Sequence, residues 1–481
     1  MKAPNTASTT ISRSNTSAWA VSPDSRRRRS TDMSNIIYPT TNFTATEQLT
    51  IDRGEGVYVY DSNGKQYLEG LAGLWCTSLG YGNQELIETA SEQMGKLAYS
   101  HMFGGKTHKV GQELAEQLKD MVPVENAKVF FGNSGSDAND THIKLLHYYF
   151  NAIGKPEKRK IIARERSYHG VTVAAASLTG LPVNQTNFDL PVEALGILRT
   201  DAPHYLRGAL PGETEADFVE RITTNLEQLI LREGPDTIAA FIAEPITGAS
   251  GVIVPPDGYY EKVQAILNKY DILFWADEVI TGFGRTGQDF GCNTMGIERP
   301  ALMTLAKQLS SAYMPISASV IRGDLYEAMI EPSNKLGVFG HGYTYSGHPV
   351  ACAVALKVLE IYKRDNIFAR AAELGDYLQR RIGEFADHPL VGEVRGRGMI
   401  GAIELVADKA TKQSFEGGVV GGFMQRACEK HGLILRAVAG NSLAFCPPLI
   451  ITEAQIDEMM EKFGKALAET QDFVTREKLV A

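Results

Sequence analysis

The chain alternates short, continuously apolar runs with longer stretches in which apolar residues return every three or four positions, the pattern of buried parallel strands covered by helices. Residues 237–243 (TIAAFIA) form one such run, ended by Glu244; residues 272–276 (ILFWA) form a second, ended by Asp277; LMTLA forms a third, followed by Lys307. Between the first two, Tyr260, Val263, Leu267 and Tyr270 recur at helical spacing. Strand, helix, strand implies a parallel pair, and an open parallel sheet takes its ligands in the crevice beyond the carboxyl ends of its strands. Glu244, Asp277 and Lys307 are therefore expected to emerge into one crevice.

Residues 127–131 predict another strand, ending in Gly132-Asn133-Ser134-Gly135-Ser136, after which Ala138, Leu145, Leu146 and Tyr149 return near helical spacing. Such a loop suits an anion: glycines let N–H groups approach, Ser136 adds a hydroxyl and the helix dipole favours negative charge. A serine N-cap with Asp137 just inside the helix gives the same pattern. Residues 160–163 predict a short strand leading to Tyr168-His169-Gly170, and residues 314–321 (MPISASVI) a further one.

Toward the amino end, residues 49–75 read as short strands joined at Gly54 to Gly56 and by an Asn63-Gly64 turn. Toward the carboxyl end, Val350, Val354, Val358 and Ile361 form a helical stripe that starts at Pro349, and Ala371, Leu374, Leu378, Ile382 and Phe385 form a second. VRGRGMIGAIELV, LILRAV and SLAFCPPLIIT predict strands, and Ile456, Met460, Phe463 and Leu467 a closing helix. Residues 182–214, rich in Pro, Gly and polar residues, read as a surface excursion. The expected fold class is α/β. A large domain, 91–345, carries a mostly parallel sheet flanked by helices; a smaller α+β domain is built from both chain ends, 42–90 and 346–481; and a polar leader, 1–41, is expected to be disordered.

Composition narrows the function. At 481 residues with 43% hydrophobic and 22% charged residues, the chain has ordinary globular composition, and its formal charge of −9 argues against general binding to nucleic acid or an anionic membrane. No apolar run is long enough to span a bilayer. The five cysteines are scattered, with no C-x-x-C and no zinc spacing, which points to reduced thiols. The leader is Ser- and Thr-rich with arginines at 26–29, as in an organelle transit peptide, yet it lacks a clear amphipathic helix, and Met33 is the favoured start. The cytoplasm is the expected location, with an organelle matrix as the alternative if residues 1–32 are a transit peptide.

Candidate chemistry concentrates after residue 272. Residues 282–287 (GFGRTG) match G-x-G-x-x-G, but a dinucleotide site needs those glycines between a strand and a helix. Here Asp277 and Glu278 stand at the strand end, and the QDFGCNTMGIERP that follows reads as no helix, so the glycines are assigned to turns. A lysine that forms a Schiff base must be partly desolvated so that its amine is neutral, and the ring it carries needs an acid against its nitrogen. Lys307 and Asp277 suit those two roles. Arg436, between apolar residues in LILRAVAGNS, is costly to bury without an anion, so a carboxylate partner is expected, either internal, such as Glu244, or a substrate.

ADEVITGFGRTG with the downstream AK, NSGS-x-AND and Tyr168-His169-Gly170 together resemble the class III pyridoxal-phosphate-dependent aminotransferases of fold type I, in particular the omega-amino acid or amine:pyruvate and 4-aminobutyrate group. Gln308 departs from the pattern, in which glycine commonly follows the lysine, and Asp137 replaces a usual glutamate. The resemblance implies pyridoxal 5′-phosphate as cofactor, with Lys307 and Asp277 catalytic. It implies cofactor contacts from Gly135, Ser136, Tyr168, His169, Glu244 and Val279, with Thr344 reaching the phosphate from a neighbouring subunit, hence a homodimer or a dimer of dimers. It implies a substrate pocket of Trp75, Phe103, Tyr168 and Arg436. The expected activity is transfer of an amino group from an amine or omega-amino acid to an oxo acid such as pyruvate by ping-pong chemistry. An aminomutase, a decarboxylating aminotransferase and, on GFGRTG alone, a nicotinamide-dependent oxidoreductase are the other readings.

Overall fold

A computed structural model describes residues 35–43 and 48–479; the expected leader lies outside the described residues as far as position 34. Seven strands form the central sheet in the spatial order Lys128–Gly132, Ser317–Ile321, Leu302–Leu305, Leu273–Asp277, Ile238–Ala243, Lys160–Arg164 and Ile197–Thr200. Ser317–Ile321 runs antiparallel to both neighbours, and the other neighbouring pairs are parallel. The six remaining strands thus end on one edge, as the apolar runs predict. Their side chains divide by parity: Phe241 and Ala243 join one apolar cluster, Ala240 and Ile242 the other, so helices cover both faces of the same strand.

Both chain ends build a second region. Ile51–Glu55, Tyr58–Asp61 and Gln66–Glu69 form an antiparallel meander, and Leu433–Ile434 adds to it in parallel, Leu433 opposite Leu68. Val391–Arg397, Ile400–Asp408, Ser442–Phe445 and Arg436–Val438 form an antiparallel sheet in that order, packed by helices Ile367–Gly383, Val419–Lys430 and Glu453–Arg476.

Two sequence expectations are corrected. Within 182–214, expected to be a surface excursion, Ile197–Thr200 is the edge strand of the central sheet, pairing Ile197 with Ile161. It is four residues long and ends in Arg199 and Thr200, too short and too polar to stand out as an apolar run. In the stretch after GFGRTG, residues Gly291–Thr294 form one helical turn.

The excursion also carries half of an ionic weld to the carboxyl-terminal sheet. Arg207 lies 2.6 Å from Glu404, Arg395 lies 2.7 Å from the same carboxylate and also pairs with Glu393, and Arg395 donates to the Gly251 carbonyl at 2.8 and 2.6 Å. Burial alone raises the Glu404 carboxyl; Arg395, Arg207 and His204 outweigh it and hold the group below its ordinary value of 4.5. Arg436 sits on the same sheet, because Arg436–Val438 pairs with Ser442–Phe445, which pairs with Ile400–Asp408. Glu404→Gln should therefore cost about 3 kcal/mol at pH 7, since it leaves two arginines facing a neutral amide. Because the folded pKa lies below the unfolded one, this stabilisation is complete above the ordinary carboxylate range and is lost as pH falls through the folded value. Urea unfolding of both proteins from pH 7 to pH 3 checks this: the gap between them should close on acidification.

Candidate active site

A cavity of about 340 Å³ opens at the carboxyl edge of the central sheet, and Asp277, Lys307, Glu244, Tyr168, His169 and Val279 all line it. Lys307 follows strand Leu302–Leu305 after the single residue Ala306 and begins a single tight turn, Lys307–Ser310. Its backbone is left-handed, φ 43°, as are Ser311 and Ala312, φ 49° and 64°. Such strain persists only where neighbours enforce it. Here Gln308 enforces it: its amide donates to the carbonyls of Ile280 at 2.6 Å and Gly282 at 3.1 Å, while Tyr362 donates to the Gln308 carbonyl at 2.8 Å. The residue that departs from the family pattern thus ties the lysine turn to the loop that follows Asp277. Burial lowers the Lys307 amine from its ordinary value, against the opposing pull of Cys76, Asp277 and Glu244.

Asp277 ends its strand inside the sheet, 3% exposed. His169 Nδ1 donates to Oδ2 at 2.8 Å, Asn139 Nδ2 donates to the same oxygen at 3.1 Å, and the Val279 N–H reaches Oδ1 at 3.2 Å. Burial raises this carboxyl, but the hydrogen bond and charge of His169, with Asn139 and Val279 after it, overcome that and hold it below its ordinary value. Asp277 is a buried anion. His169 Nε2, on the far side of the ring, is buried with no partner among the described residues. Glu244 behaves in the opposite way: burial raises it, and its two oxygens accept from the N–H groups of Tyr168 and Gly248, each at 2.9 Å.

Strand Lys128–Gly132 feeds helix Gly135–Ala152 through a capping box, in which Ser134 caps the Asp137 N–H and the Asp137 carboxylate takes the N–H groups of Asn133 and Ser134 together with the Ser317 hydroxyl. The capping reading of this loop is what the structure displays. Asp137 is the cap, and because it turns back on the loop, the next two amides, Gly135 and Ser136, keep no partner among the described residues while lining the cavity. A Cβ at position 135 would lie 3.0 Å from a Val279 methyl, so glycine keeps that wall open. Free helix-end amides suit a phosphate, the Tyr168 and Val279 walls suit a flat ring, Asp277 suits a basic ring nitrogen and Lys307 an aldehyde. The donor set fits pyridoxal 5′-phosphate.

The remaining expected residues lie elsewhere. Trp75 is 1% exposed and packs among Ile280, Val438 and Ala444 in an apolar cluster, with φ 65°; its neighbour Cys76 lines the cavity instead. Phe103 is 46% exposed and Thr344 is exposed, so neither lines the cavity of its own chain; the two segments adjoin, with the Tyr99 hydroxyl donating to the Thr344 carbonyl at 2.8 Å. Arg436 is half-buried, and the internal pairing allowed for it is not made: the Glu244 oxygens accept from backbone N–H groups, and Arg436 has no ion pair or side-chain hydrogen bond among the described residues. Burial lowers the Arg436 guanidinium, with the Tyr168 hydroxyl as its opposing neighbour. In GFGRTG, Phe283 and Arg285 are buried, and Arg285 donates to the carbonyls of Met399 and Pro447 at 3.1 and 2.6 Å, so the glycines serve a buried turn. Asn139 was not singled out from the sequence. Its position four residues after Gly135, on the face that carries His142 toward the sheet, was the available signal.

The sequence matches the family described as "Aminotransferase class-III" over residues 41–467. It is 50% identical over 434 residues to "Gamma aminobutyrate transaminase 3, chloroplastic" of Solanum lycopersicum, covering 90% of this chain and 82% of that protein. It is likewise 50% identical over 433 residues to "Probable gamma-aminobutyrate transaminase 3, mitochondrial" of Oryza sativa subsp. indica, covering 89% of this chain and 84% of that one. Among solved structures, an omega transaminase from Pseudomonas jessenii in complex with PMP superposes with a TM-score of 0.90 at 50% identity, covering 92% of this chain and 98% of that chain. The chain belongs to the class III aminotransferases, enzymes that depend on pyridoxal 5′-phosphate.

Proposed function

We propose that this enzyme moves an amino group from an amine or omega-amino acid to an oxo acid such as pyruvate, in two half-reactions that share one cavity. The observation that carries this reading is the joint presence of Lys307, ionised Asp277 and the open Gly135–Ser136 amides around one space, with the unpaired Arg436 beside Tyr168. When bound, pyridoxal 5′-phosphate supplies an aldehyde that condenses with amines and a ring that draws electrons from the carbon being deprotonated.

Each residue then has a task. The Gly135 and Ser136 N–H groups hold the phosphate at the helix end. Tyr168 and Val279, which line the cavity, would bound the ring, and Glu244 fixes the Tyr168 backbone. Asp277, kept ionised by His169 and Asn139, holds a proton on the ring nitrogen. Lys307 would hold the aldehyde, and its Nζ would take the proton from the substrate carbon and return it; burial lowers this amine, which favours the neutral form that the task needs. Arg436 grips a substrate carboxylate, and an uncharged amine leaves it idle. The exposed segment of Phe103, Thr344 and Tyr345 supports a homodimer, or a dimer of dimers, in which this segment completes the partner's cavity. The gamma-aminobutyrate and omega transaminases named among the relatives support an omega-amino donor.

Lys307→Ala should abolish turnover with the fold retained, as seen by mixing each protein with an amine donor and pyruvate and checking the circular dichroism; near-normal transamination by the variant overturns the assignment. Arg436→Ala should lower kcat/KM for pyruvate and for an omega-amino acid roughly 10- to 150-fold, the worth of a charge-assisted contact, and lower that for a simple arylalkylamine far less. Single-turnover absorbance changes, with each half-reaction started separately, read this directly, and equal losses for both substrates point to a structural arginine. A heterodimer of Lys307→Ala with Thr344→Ala tests sharing across the dimer: both lesions should fall in one site and leave the other with full cofactor affinity. If Thr344 serves its own subunit, each site carries one lesion.

A further inference from the structure

Behind the cavity wall, out of reach of any ligand, a line of neutral groups ends on Asp277. Trp275 Nε1 lies 2.8 Å from Thr304 Oγ1, Thr304 Oγ1 lies 2.7 Å from Asn139 Oδ1, and Asn139 Nδ2 lies 3.1 Å from Asp277 Oδ2 and 2.6 Å from the His169 carbonyl. Trp275, Thr304 and Asn139 are each fully buried. Chemistry fixes the direction of this line. An indole N–H can only donate, so the Thr304 oxygen accepts from it and the hydroxyl hydrogen is left for Asn139. That hydrogen selects the oxygen end of the Asn139 amide, and the nitrogen end must then face the His169 carbonyl and Asp277, both acceptors. A flipped amide would set its oxygen against a carbonyl and a carboxylate and its N–H groups against a committed donor, with no water to relieve either.

The two oxygens of Asp277 are thereby made unequal. Among the described residues, Oδ2 receives two donors, Asn139 Nδ2 and His169 Nδ1, while Oδ1 receives only the Val279 N–H at 3.2 Å. A proton on Oδ2 would meet two hydrogens already in place, so a proton can be shared only at Oδ1. We propose that Asn139 is a positioning residue for amino transfer: locked by Trp275 and Thr304, it keeps Asp277 a pure acceptor and reserves Oδ1 for the proton of the cofactor's ring nitrogen. This rests on the reading of Asp277 as the partner of that nitrogen.

The test uses the holoenzyme reconstituted with pyridoxal phosphate carrying ¹⁵N in the ring. Thr304→Val keeps the shape and removes the hydroxyl; Thr304→Ser restores the hydroxyl; Trp275→Phe removes only the indole donor and serves if Thr304→Val does not fold. The wild-type ring nitrogen should resonate as protonated, and in Thr304→Val the signal should move toward the unprotonated position. The saturating rate of the amine half-reaction should fall roughly 3- to 10-fold, the effect of one hydrogen bond, with amine KM within about twofold of wild type. Thr304→Ser should recover both readouts. An unchanged nitrogen signal and rate in Thr304→Val and Trp275→Phe, with a protonated wild type, overturns the relay and leaves the reading of Asp277 standing. Equal damage in Thr304→Ser and Thr304→Val marks a packing effect and also overturns it. An unprotonated nitrogen in the wild type removes the Asp277 reading and this proposal with it.

Discussion

The low dielectric at the carboxyl edge of the central sheet sets the charges on which the cavity depends. A carboxylate taken out of water costs several kcal/mol, and a charge-assisted hydrogen bond returns about 1.5–3 kcal/mol. Asp277 stays ionised there because three donors meet it, one each from His169, Asn139 and Val279. The same burial pushes the Lys307 amine the opposite way, toward neutrality. Glu244, whose donors are backbone amides alone, is left raised. One environment thus yields an anion, a weakened cation and a carboxyl raised above its ordinary value within a single space, and what donates to each of the two carboxyls separates them.

Much of this was legible in the sequence, for a physical reason. A strand buried on both faces cannot carry a charge along its length, so its first charged residue marks the edge of the sheet; TIAAFIA, ILFWA and LMTLA announced Glu244, Asp277 and Lys307 in this way. The glycine-serine loop was equally plain, because few residues other than glycine allow amides to line a wall. Partners were not legible. That Glu244 spends its oxygens on backbone N–H groups, leaving Arg436 unpaired, follows from where Tyr168 and Gly248 come to rest, and no periodicity encodes that. Gln308 looked like a flaw in a motif, whereas in the fold it bridges two loops that are separate in sequence. The edge strand Ile197–Thr200 was misread because four residues carry too little pattern to tell core from surface.

Parts distant along the chain hold the cavity in shape. Gln308 joins the lysine turn to the aspartate loop, Arg285 pins that loop beneath the carboxyl-terminal sheet, and Glu404 with Arg207 and Arg395 fixes the sheet that presents Arg436. These ties are buried or nearly so, where they are screened little by salt.

The pairing of Leu433 with Leu68 has a consequence for how the molecule is made. The cavity-lining residues between 133 and 316 leave the ribosome well before position 433, so the sheet edge that bears Asp277 and Lys307 can assemble while the tail is still being translated. Leu68 and the meander around it emerge before the central sheet, yet the strand that completes the meander follows only after that sheet. Contacts so far apart in sequence form slowly. The nascent chain must therefore carry an unfinished sheet edge while the whole central sheet is made, and the strand that bears Arg436 follows that sheet.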